Sequence, residues 1–207
     1  MKTIFFPLLF ALFCLAGNAQ LNKEQQSIKK VFFDFLKFYQ KNEKKFNSFQ
    51  LYKGTGKENN PPYKIQWKEV DRYFAWLRAN VTYVGEEYIK NERLHFKYSD
   101  SCFKADSTEE IPVGFDYDRW AGGQENISYT IKWYTDPNNK YEVIIKGNKA
   151  VLRIGGDLWP GAEEKDRGWS EVLFVKEKAR LNGKVGQGKW KMADNVYLAA
   201  NEEKTQN

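Results

Sequence analysis

Histidine and cysteine are scarce in this chain of 207 residues, which contains one histidine and two cysteines. Because His95 is the only histidine, a metal site with two histidines and a two-histidine proton relay are both excluded. The Gly-x-Ser-x-Gly motif of serine hydrolases and the Gly-x-Gly-x-x-Gly motif of dinucleotide sites are also missing. We therefore expect no cofactor and no metal, and a non-catalytic protein is favoured over an enzyme.

Long apolar runs are missing everywhere except at the start of the chain. A basic residue precedes the apolar residues 4–16, and Gly17 and Ala19 are the small residues that a signal peptidase requires. The run is shorter than the roughly 20 residues of a membrane-spanning helix. We predict a signal peptide over residues 1–19, cleavage before Gln20, and export to the periplasm or the extracellular space, with no membrane span in the mature chain.

Cys102 is the one cysteine that remains after this cleavage, so an internal disulfide is excluded. Burial as a small apolar residue is favoured, while an intermolecular link or a nucleophile stays open. The formal net charge of +6 is spread along the chain rather than clustered on one segment. Nucleic-acid-binding proteins usually carry a clustered basic face, so we expect no nucleic-acid partner.

Helical periodicity dominates the first half of the chain. Ile28, Phe32, Phe35 and Tyr39 belong to an apolar stripe that predicts a helix from residue 23 to the mid-forties. Glycines, asparagines and paired prolines make residues 53–63 a loop. A second helix is predicted from its apolar face, and a third is predicted with Thr82 as its N-cap. The second helix carries Trp67, Val70, Phe74, Leu77 and Val81 on that face.

A period of two replaces the helical period from Asn126 onward. Tyr129, Ile131 and Trp133 alternate with polar residues and predict a strand. Further strands are predicted over residues 141–146, 150–154, 169–181 and 189–198, the first two joined by a Gly-Asn turn. The predicted fold is α+β: N-terminal helices pack against an antiparallel sheet of four to six strands. A single domain over residues 20–200 and a disordered tail over residues 201–207 complete the expected organisation.

Residues 183–189 fit the phosphate-loop pattern Gly-x-x-x-x-Gly-Lys. A phosphate loop must open a helix and place Ser or Thr after the lysine, because that hydroxyl holds magnesium. Trp190 occupies this position, and Trp190 and Met192 alternate with lysines as they would in a strand. Since an Asn-Gly pair precedes them, we predict a hairpin instead of a nucleotide site.

The last predicted strand, "GKWKMADNVYL", resembles the closing strand of the nuclear-transport-factor-2-like superfamily. The residues that match the order in that superfamily are Gly188, Trp190, Lys191, Met192, Asp194 and Val196. The helical beginning and the hairpin "YEVIIKGNKAVLRI" are also similar to those of the superfamily. Within it, the chain most resembles secreted bacterial domains of unknown function, which share a helix of the "FFDFLKFY" type and an acidic segment before the sheet. The resemblance covers most of residues 23–198. It implies a cone, in which a strongly curved sheet wraps against helices and encloses a pocket.

Residues 115–126, "FDYDRWAGGQEN", are the stretch most typical of a binding site. Asp116 and Asp118 are followed by glycines, as in a calcium loop, but Trp120 stands where that loop needs a third oxygen ligand. The favoured interpretation is a polar connection between the helices and the sheet, anchored by Trp120. The other is a pocket rim on which Asp116, Asp118 and Trp120 contact a ligand.

Tyr129 and Trp133 complete the set of candidate ligand-binding residues. Trp133, like Trp190, is most simply a core residue on a strand, and Trp159 and Trp169 are expected to fold back against the charged loop between them. The expected partner is an unknown small molecule or a protein.

Two alternatives to a binding domain stay open. Some enzymes of the superfamily use a His-Asp dyad, so the resemblance implies that His95 could act with Asp116, Asp118 or Asp194 in a small isomerase, dehydratase or hydrolase. The charged neighbours of His95 instead predict an exposed histidine. The other alternative is a protein-interaction role, such as immunity to a toxin.

Overall fold

The computed structural model describes residues 21–120, 124–156, 158, 160–178, 180–181, 184–185 and 188–198. The predicted signal peptide, the cleavage site before Gln20, Trp159 and the predicted tail over residues 201–207 lie outside the described residues. Within that description, no helix has the length and apolar character needed to cross a membrane.

The described residues form four α-helices and eight β-strands. The helices are α1 (Lys23–Phe46), α2 (Trp67–Asn80), α3 (Glu86–Ala105) and α4 (Ile127–Tyr134). The strands are β1 (Tyr52–Gly54), β2 (Tyr63–Ile65), β3 (Lys140–Lys146), β4 (Lys149–Gly155), β5 (Trp169–Glu177), β6 (Arg180–Leu181), β7 (Lys184–Val185) and β8 (Lys189–Leu198).

Helix α1 forms as its sequence predicts. Its first turn is closed by a capping box, in which the Gln25 amide donates to Asn22 Oδ1 at 3.0 Å and the Asn22 amide donates to Gln25 Oε1 at 2.9 Å. The apolar stripe is fully buried, with Phe32 and Phe35 both 0% exposed. Local capping and burial of one face therefore favour the same conformation.

Helix α3 begins later than predicted. Thr82 is not its N-cap, because the chain around Val84 is extended and pairs with β8. The Met192 amide donates to the Tyr83 carbonyl at 2.9 Å, and the Gly85 amide donates to the Met192 carbonyl at 3.0 Å. These backbone hydrogen bonds hold residues 83–85 against the sheet, so the helix starts only after Gly85.

The prediction of a strand after Asn126 is wrong, since residues 127–134 form helix α4. The Asn126 side chain accepts a hydrogen bond from the Ser128 amide at 2.8 Å and caps the helix. The residues that α4 buries are Ile127, Thr130 and Tyr134, whose spacing is helical. Trp133 therefore lies on a helix, where it is half-buried, and not on a strand.

The β1–β2 hairpin lies at the two ends of the segment that the sequence predicts as loop. Tyr52 pairs with Ile65 and Gly54 pairs with Tyr63, in antiparallel register. Three paired residues are too few to show a strand period, so the sequence gives no signal for them.

The main sheet has four antiparallel strands in the order β3-β4-β5-β8. The Gly-Asn turn predicted between β3 and β4 is confirmed, and Gly147 takes the positive φ of 63° that this turn requires. Lys189 begins β8 rather than a helix, as the hairpin interpretation predicts. The α+β class and the antiparallel sheet are thereby confirmed.

Helices α1 and α3 both contact β8, and α1 also contacts β3. The Gln25 side-chain amide donates to the Val143 carbonyl of β3 at 2.7 Å. At the other edge, Glu24 Oε1 lies 2.7 Å from Lys176 Nζ and accepts from Trp190 Nε1 at 3.1 Å. The first helix is thus held to both edge strands of the sheet.

The largest fully buried strand residues are Leu152 and Phe174.

Three single residues with predicted environments are Trp169, Trp190 and Cys102. Trp169 and Trp190 are buried, at 6% and 7% exposure, and Trp169 lies under the Arg153 guanidinium, whose carbon is 4.5 Å from the ring centroid. Cys102 is only half-buried on α3, so its predicted burial is wrong in degree.

Candidate functional site

A cleft of about 600 Å³ opens beside residues 114–120. Its walls come from α1, from the chain that leads into β1, from α2 and α3, and from the connection between α3 and α4. None of the described residues that line it belongs to the four-stranded sheet. The lining residues used below are Tyr39, Phe49, Tyr52, Glu92, Phe115, Asp116, Tyr117, Asp118, Arg119 and Trp120.

A glycine with a positive φ sets the path of the chain into the cleft. Gly114 has φ of 83°, and a Cβ there would lie 2.6 Å from His95 Nε2 and 2.7 Å from Ser99 Oγ. Only glycine tolerates both the conformation and the close approach. After this turn, Phe115 stacks on Phe96 with ring centroids 5.7 Å apart and lies 4.5 Å from the Tyr52 ring.

Trp120 anchors the other end of the segment. The indole is 7% exposed and stacks on Tyr88, with centroids 4.6 Å apart and planes 8° apart. It also contacts Phe35 and Phe46, each at 5.2 Å between centroids. These ring contacts support the predicted anchoring role of Trp120, and the same ring forms part of the cleft wall.

Asp118 links the connecting segment to α1. Its Oδ2 accepts a hydrogen bond from the Tyr39 hydroxyl at 2.7 Å, and its Oδ1 accepts from the Trp120 amide at 2.8 Å. Burial of Tyr39, together with the nearby carboxylate, raises the pKa of the phenol above its ordinary range. The hydroxyl therefore remains a hydrogen-bond donor to Asp118 at all physiological pH values.

Glu92 and Arg119 form a buried ion pair at the base of the cleft. Glu92 Oε2 lies 2.8 Å from Arg119 Nε, and their side chains are 4% and 19% exposed. Burial raises the pKa of Glu92 above 4.5, although the charge of Arg119 opposes the shift. Arg119 Nη1 also donates to the Tyr117 hydroxyl at 3.1 Å. The pair fixes one side of the cleft and places a tyrosine at its rim.

The structure brings together three of the five predicted ligand-binding residues. Asp116, Asp118 and Trp120 all line the cleft. Tyr129 is 58% exposed on α4, and Trp133 lies against Gly156 and Tyr134. Neither of these last two residues lines the cleft.

Glu92 and Arg119 are the site residues that the sequence does not reveal. They lie 27 positions apart, with Glu92 on a helix that also carries three other acidic residues. The local sequence offers no signal that separates the buried carboxylate from its exposed neighbours. An arginine directly after Asp118, in the segment already singled out, is the one hint.

His95 is half-buried, so its predicted exposure is wrong. Its Nε2 lies 3.1 Å from the Gly114 carbonyl, and burial, followed by the charge of Arg119, lowers its pKa below the usual value. Within the described residues, no hydrogen bond joins His95 to Asp116, Asp118 or Asp194. Asp194 instead accepts from the Asn195 amide at 2.9 Å.

Metal binding gains no support from the described part of the chain, where no group of three or more potential ligands comes together. Comparisons with known proteins give no assignment: the chain matches no family model, no curated protein and no solved structure at a significant level. The resemblance to the nuclear-transport-factor-2-like superfamily stays a prediction, and function has to be argued from the cleft itself.

Proposed function

We propose that this chain is an exported, non-catalytic binding domain whose ligand site is the cleft beside residues 114–120. The observation that carries the proposal is the cleft itself, because its volume of about 600 Å³ is one that a small molecule fills. Sites for small ligands usually span roughly 300–1,000 Å³ and combine apolar walls with a few fixed polar groups. The cleft has this composition.

The polar groups of the cleft are held in place without a ligand. Both oxygens of Asp118 accept hydrogen bonds from the protein, and Arg119 is held by Glu92. Trp120 is clamped between rings of α1 and α3. A site whose side chains are already ordered loses little conformational entropy on binding, which supports recognition of a ligand here.

The non-catalytic part of the proposal is supported by His95. Its Nε2 is engaged with a backbone carbonyl, and burial favours the neutral ring. A proton-transfer group must reach the substrate within hydrogen-bond distance. His95 is not among the residues that line the cleft.

Two further parts of the proposal concern export and the shape of the sheet. Export is supported by the composition of residues 1–19 and is tested by N-terminal sequencing of the secreted protein, which should begin at Gln20. A cone-like sheet is supported by the β-bulge between Leu173 and Phe174, because a bulge bends a strand. A crystal structure tests this curvature.

A thermal-shift screen of small molecules against two tyrosine variants tests the binding site. Tyr117 is 38% exposed at the cleft, and Tyr129 is 58% exposed on α4 outside it. We expect ligands that stabilise the native protein to lose their effect in Tyr117→Ala and keep it in Tyr129→Ala. If both variants lose the stabilisation by ligand equally, or if Tyr117→Ala keeps it in full, the binding site lies elsewhere.

A small acid–base enzyme is the second candidate function, and one observation favours it. Glu92 borders the cleft, is buried and has a raised pKa, as general acids in enzymes often do. If the cleft is catalytic, Glu92→Gln should abolish turnover of a substrate in a variant that circular dichroism shows to be folded without the ion pair to Arg119. Turnover that survives this substitution would remove Glu92 from the chemistry.

A further inference from the structure

Lysines follow one side of helix α1. Each residue of an α-helix is turned by about 100° from the one before it, so residues 7, 11 or 14 positions apart fall on nearly the same side, to within roughly 40°. The lysines that share this side, called the lysine row below, are Lys23, Lys30, Lys37, Lys41 and Lys44. All five are exposed, and the row is about 30 Å long, since each residue adds about 1.5 Å.

The positive charge of the lysine row is largely uncompensated. Asp34 is the one acidic residue on this side of α1, and its carboxylate pairs with Lys30. The other four lysines of the row form no ion pair with any residue that the structure describes. Five lysines against one aspartate leave an excess of four positive charges along the row. Folding therefore gathers on one face part of a charge that the sequence spreads out.

The stability of the helix does not account for this row. Lys23 lies at the N-terminus of α1, where the helix macrodipole disfavours a positive charge, and of the row only Lys44 lies in the last turn, where the dipole favours one. Lys37 and Lys41 are four residues apart, and Lys44 follows three residues later. Like charges at these separations repel one another and weaken a helix. An anion outside the chain would relieve this repulsion.

The shape of the surface and the type of side chain favour a flat partner with many charges. The clefts beside residues 114–120, between α2 and α3, and beside the start of β8 are lined by residues outside the row, which lies on an outward helix face. A nucleic-acid strand is usually held in a basic groove with exposed aromatic rings. Lysine is a flexible point charge, whereas arginine matches a single phosphate with two hydrogen bonds. Clusters of about four to eight basic residues on a helix are typical of proteins that bind anionic lipid.

We propose that the lysine row docks α1 on a membrane surface rich in anionic phospholipid headgroups, without crossing the membrane. The docked face and the cleft lie on opposite sides of the same helix. Tyr39, which lines the cleft, is nine residues after Lys30 and is therefore turned about 180° from it. A ligand can thus reach the cleft while the protein is docked. This inference goes beyond the proposed function and does not rest on it.

Sedimentation with lipid vesicles tests the docking. The chain from Gln20 onward is used, so that the apolar residues 4–16 do not themselves bind lipid. At low salt we expect it to sediment with vesicles of phosphatidylcholine and phosphatidylglycerol in about equal parts, but not with phosphatidylcholine alone. Salt at about 0.5 M should release the protein, because screening weakens the attraction between exposed charges.

Protein variants locate the effect on α1. Lys37→Gln/Lys41→Gln should lower the affinity for anionic vesicles roughly 25-fold, since each lysine near such a surface contributes roughly fivefold. Lys68→Gln/Lys97→Gln is the matched control, because it removes two exposed lysines from α2 and α3 with the same change in net charge. This control should change the affinity less than about threefold. Circular dichroism checks that both variants are folded.

Three results would overturn the proposal. Equal affinity for neutral and anionic vesicles would show that charge does not drive binding, and equal losses in the two double variants would show that the row has no special part. If the row binds double-stranded DNA or heparin but not anionic vesicles, it is a site for another polyanion. The cleft is tested separately, because Tyr117→Ala should leave vesicle binding unchanged.

Discussion

Arg119 Nε lies 2.8 Å from Glu92 Oε2, and the pair joins the connection after α3 to the middle of that helix. Both side chains are largely removed from water, with Glu92 at 4% and Arg119 at 19% exposure. Taking two charges out of water costs free energy, and the attraction between the partners offsets part of that cost only while both are present. The integrity of the cleft therefore depends on a contact between two charged residues.

Removing one partner of the ion pair between Glu92 and Arg119 should destabilise the fold. We expect Arg119→Met to lower the free energy of unfolding by about 3–5 kcal/mol, because it leaves the Glu92 carboxylate buried without its cation. Urea denaturation followed by circular dichroism measures the change. The double variant Glu92→Leu/Arg119→Met should recover much of the loss, and a single variant as stable as the native protein would contradict a buried pair.

The pH dependence of stability should carry a contribution from Glu92 with a defined sign. Its folded-state pKa is raised above 4.5, mainly by burial, so the folded state holds this proton to a higher pH than the unfolded state does. The contribution is fully present below pH 4.5 and is lost as pH rises through the raised pKa. Relative to Glu92→Gln, the native protein should therefore be more stable at about pH 4 than at about pH 8. The opposite slope would mean that Arg119 outweighs burial.

The hydrogen bond between Tyr39 and Asp118 is expected to stabilise the fold. Tyr39→Phe removes a 2.7 Å bond to a carboxylate and should cost about 1.5–3 kcal/mol. Tyr98→Phe is the control, since Tyr98 is 61% exposed on α3, and its stability should match that of the native protein. Equal stability of both variants would indicate that, in Tyr39→Phe, a water molecule takes the place of the hydroxyl group as donor to Asp118.

The anchoring role of Trp120 predicts a large effect of truncation. Trp120→Ala should cost about 3–5 kcal/mol, because it removes a buried ring that packs on α1 and α3. Thermal and urea unfolding measure this loss, and Tyr129→Ala, which truncates an exposed ring, should leave stability unchanged. A cost of less than about 1 kcal/mol would show that the ring faces solvent in solution.

Two glycines with positive φ allow backbone conformation to be separated from steric contact. At Gly147 the space around an added Cβ is empty, so Gly147→Ala should cost only the conformational penalty of about 1–2 kcal/mol. Gly114→Ala should cost more, because its Cβ would also collide with His95 and Ser99. Comparison of the two unfolding free energies tests this difference, and equal values would contradict the close approach at Gly114.

The sequence predicts those elements whose signal is repeated over many residues. Helix α1 has a capping box and several turns of one apolar face, and β3 and β4 are joined by a Gly-Asn turn. Helix α4 has only eight residues, and over so short a stretch alternating and helical spacing both fit. Its helical form is settled by burial of Tyr134 against Phe32, with ring centroids 5.2 Å apart, which local sequence cannot show.

The sequence predicts only part of the candidate site, for a similar reason. Asp116, Asp118 and Trp120 lie within one short segment, so composition alone draws attention to them. Glu92 reaches the cleft only because α3 packs with that face inward. Tyr129 and Trp133, the other two predicted ligand-binding residues, lie on α4 and do not line the cleft.

The contacts of Glu24 with Lys176 and Trp190 join parts of the chain that are 152 and 166 residues apart. A ribosome adds roughly 5–20 residues per second, so α1 is synthesised roughly 8–33 s before the last of these partners. During most of that interval the sheet that packs against α1 is incomplete, because β8 is made last. The nascent chain therefore presents an uncovered aromatic surface to chaperones, and folding cannot be completed until nearly the whole polypeptide has been made.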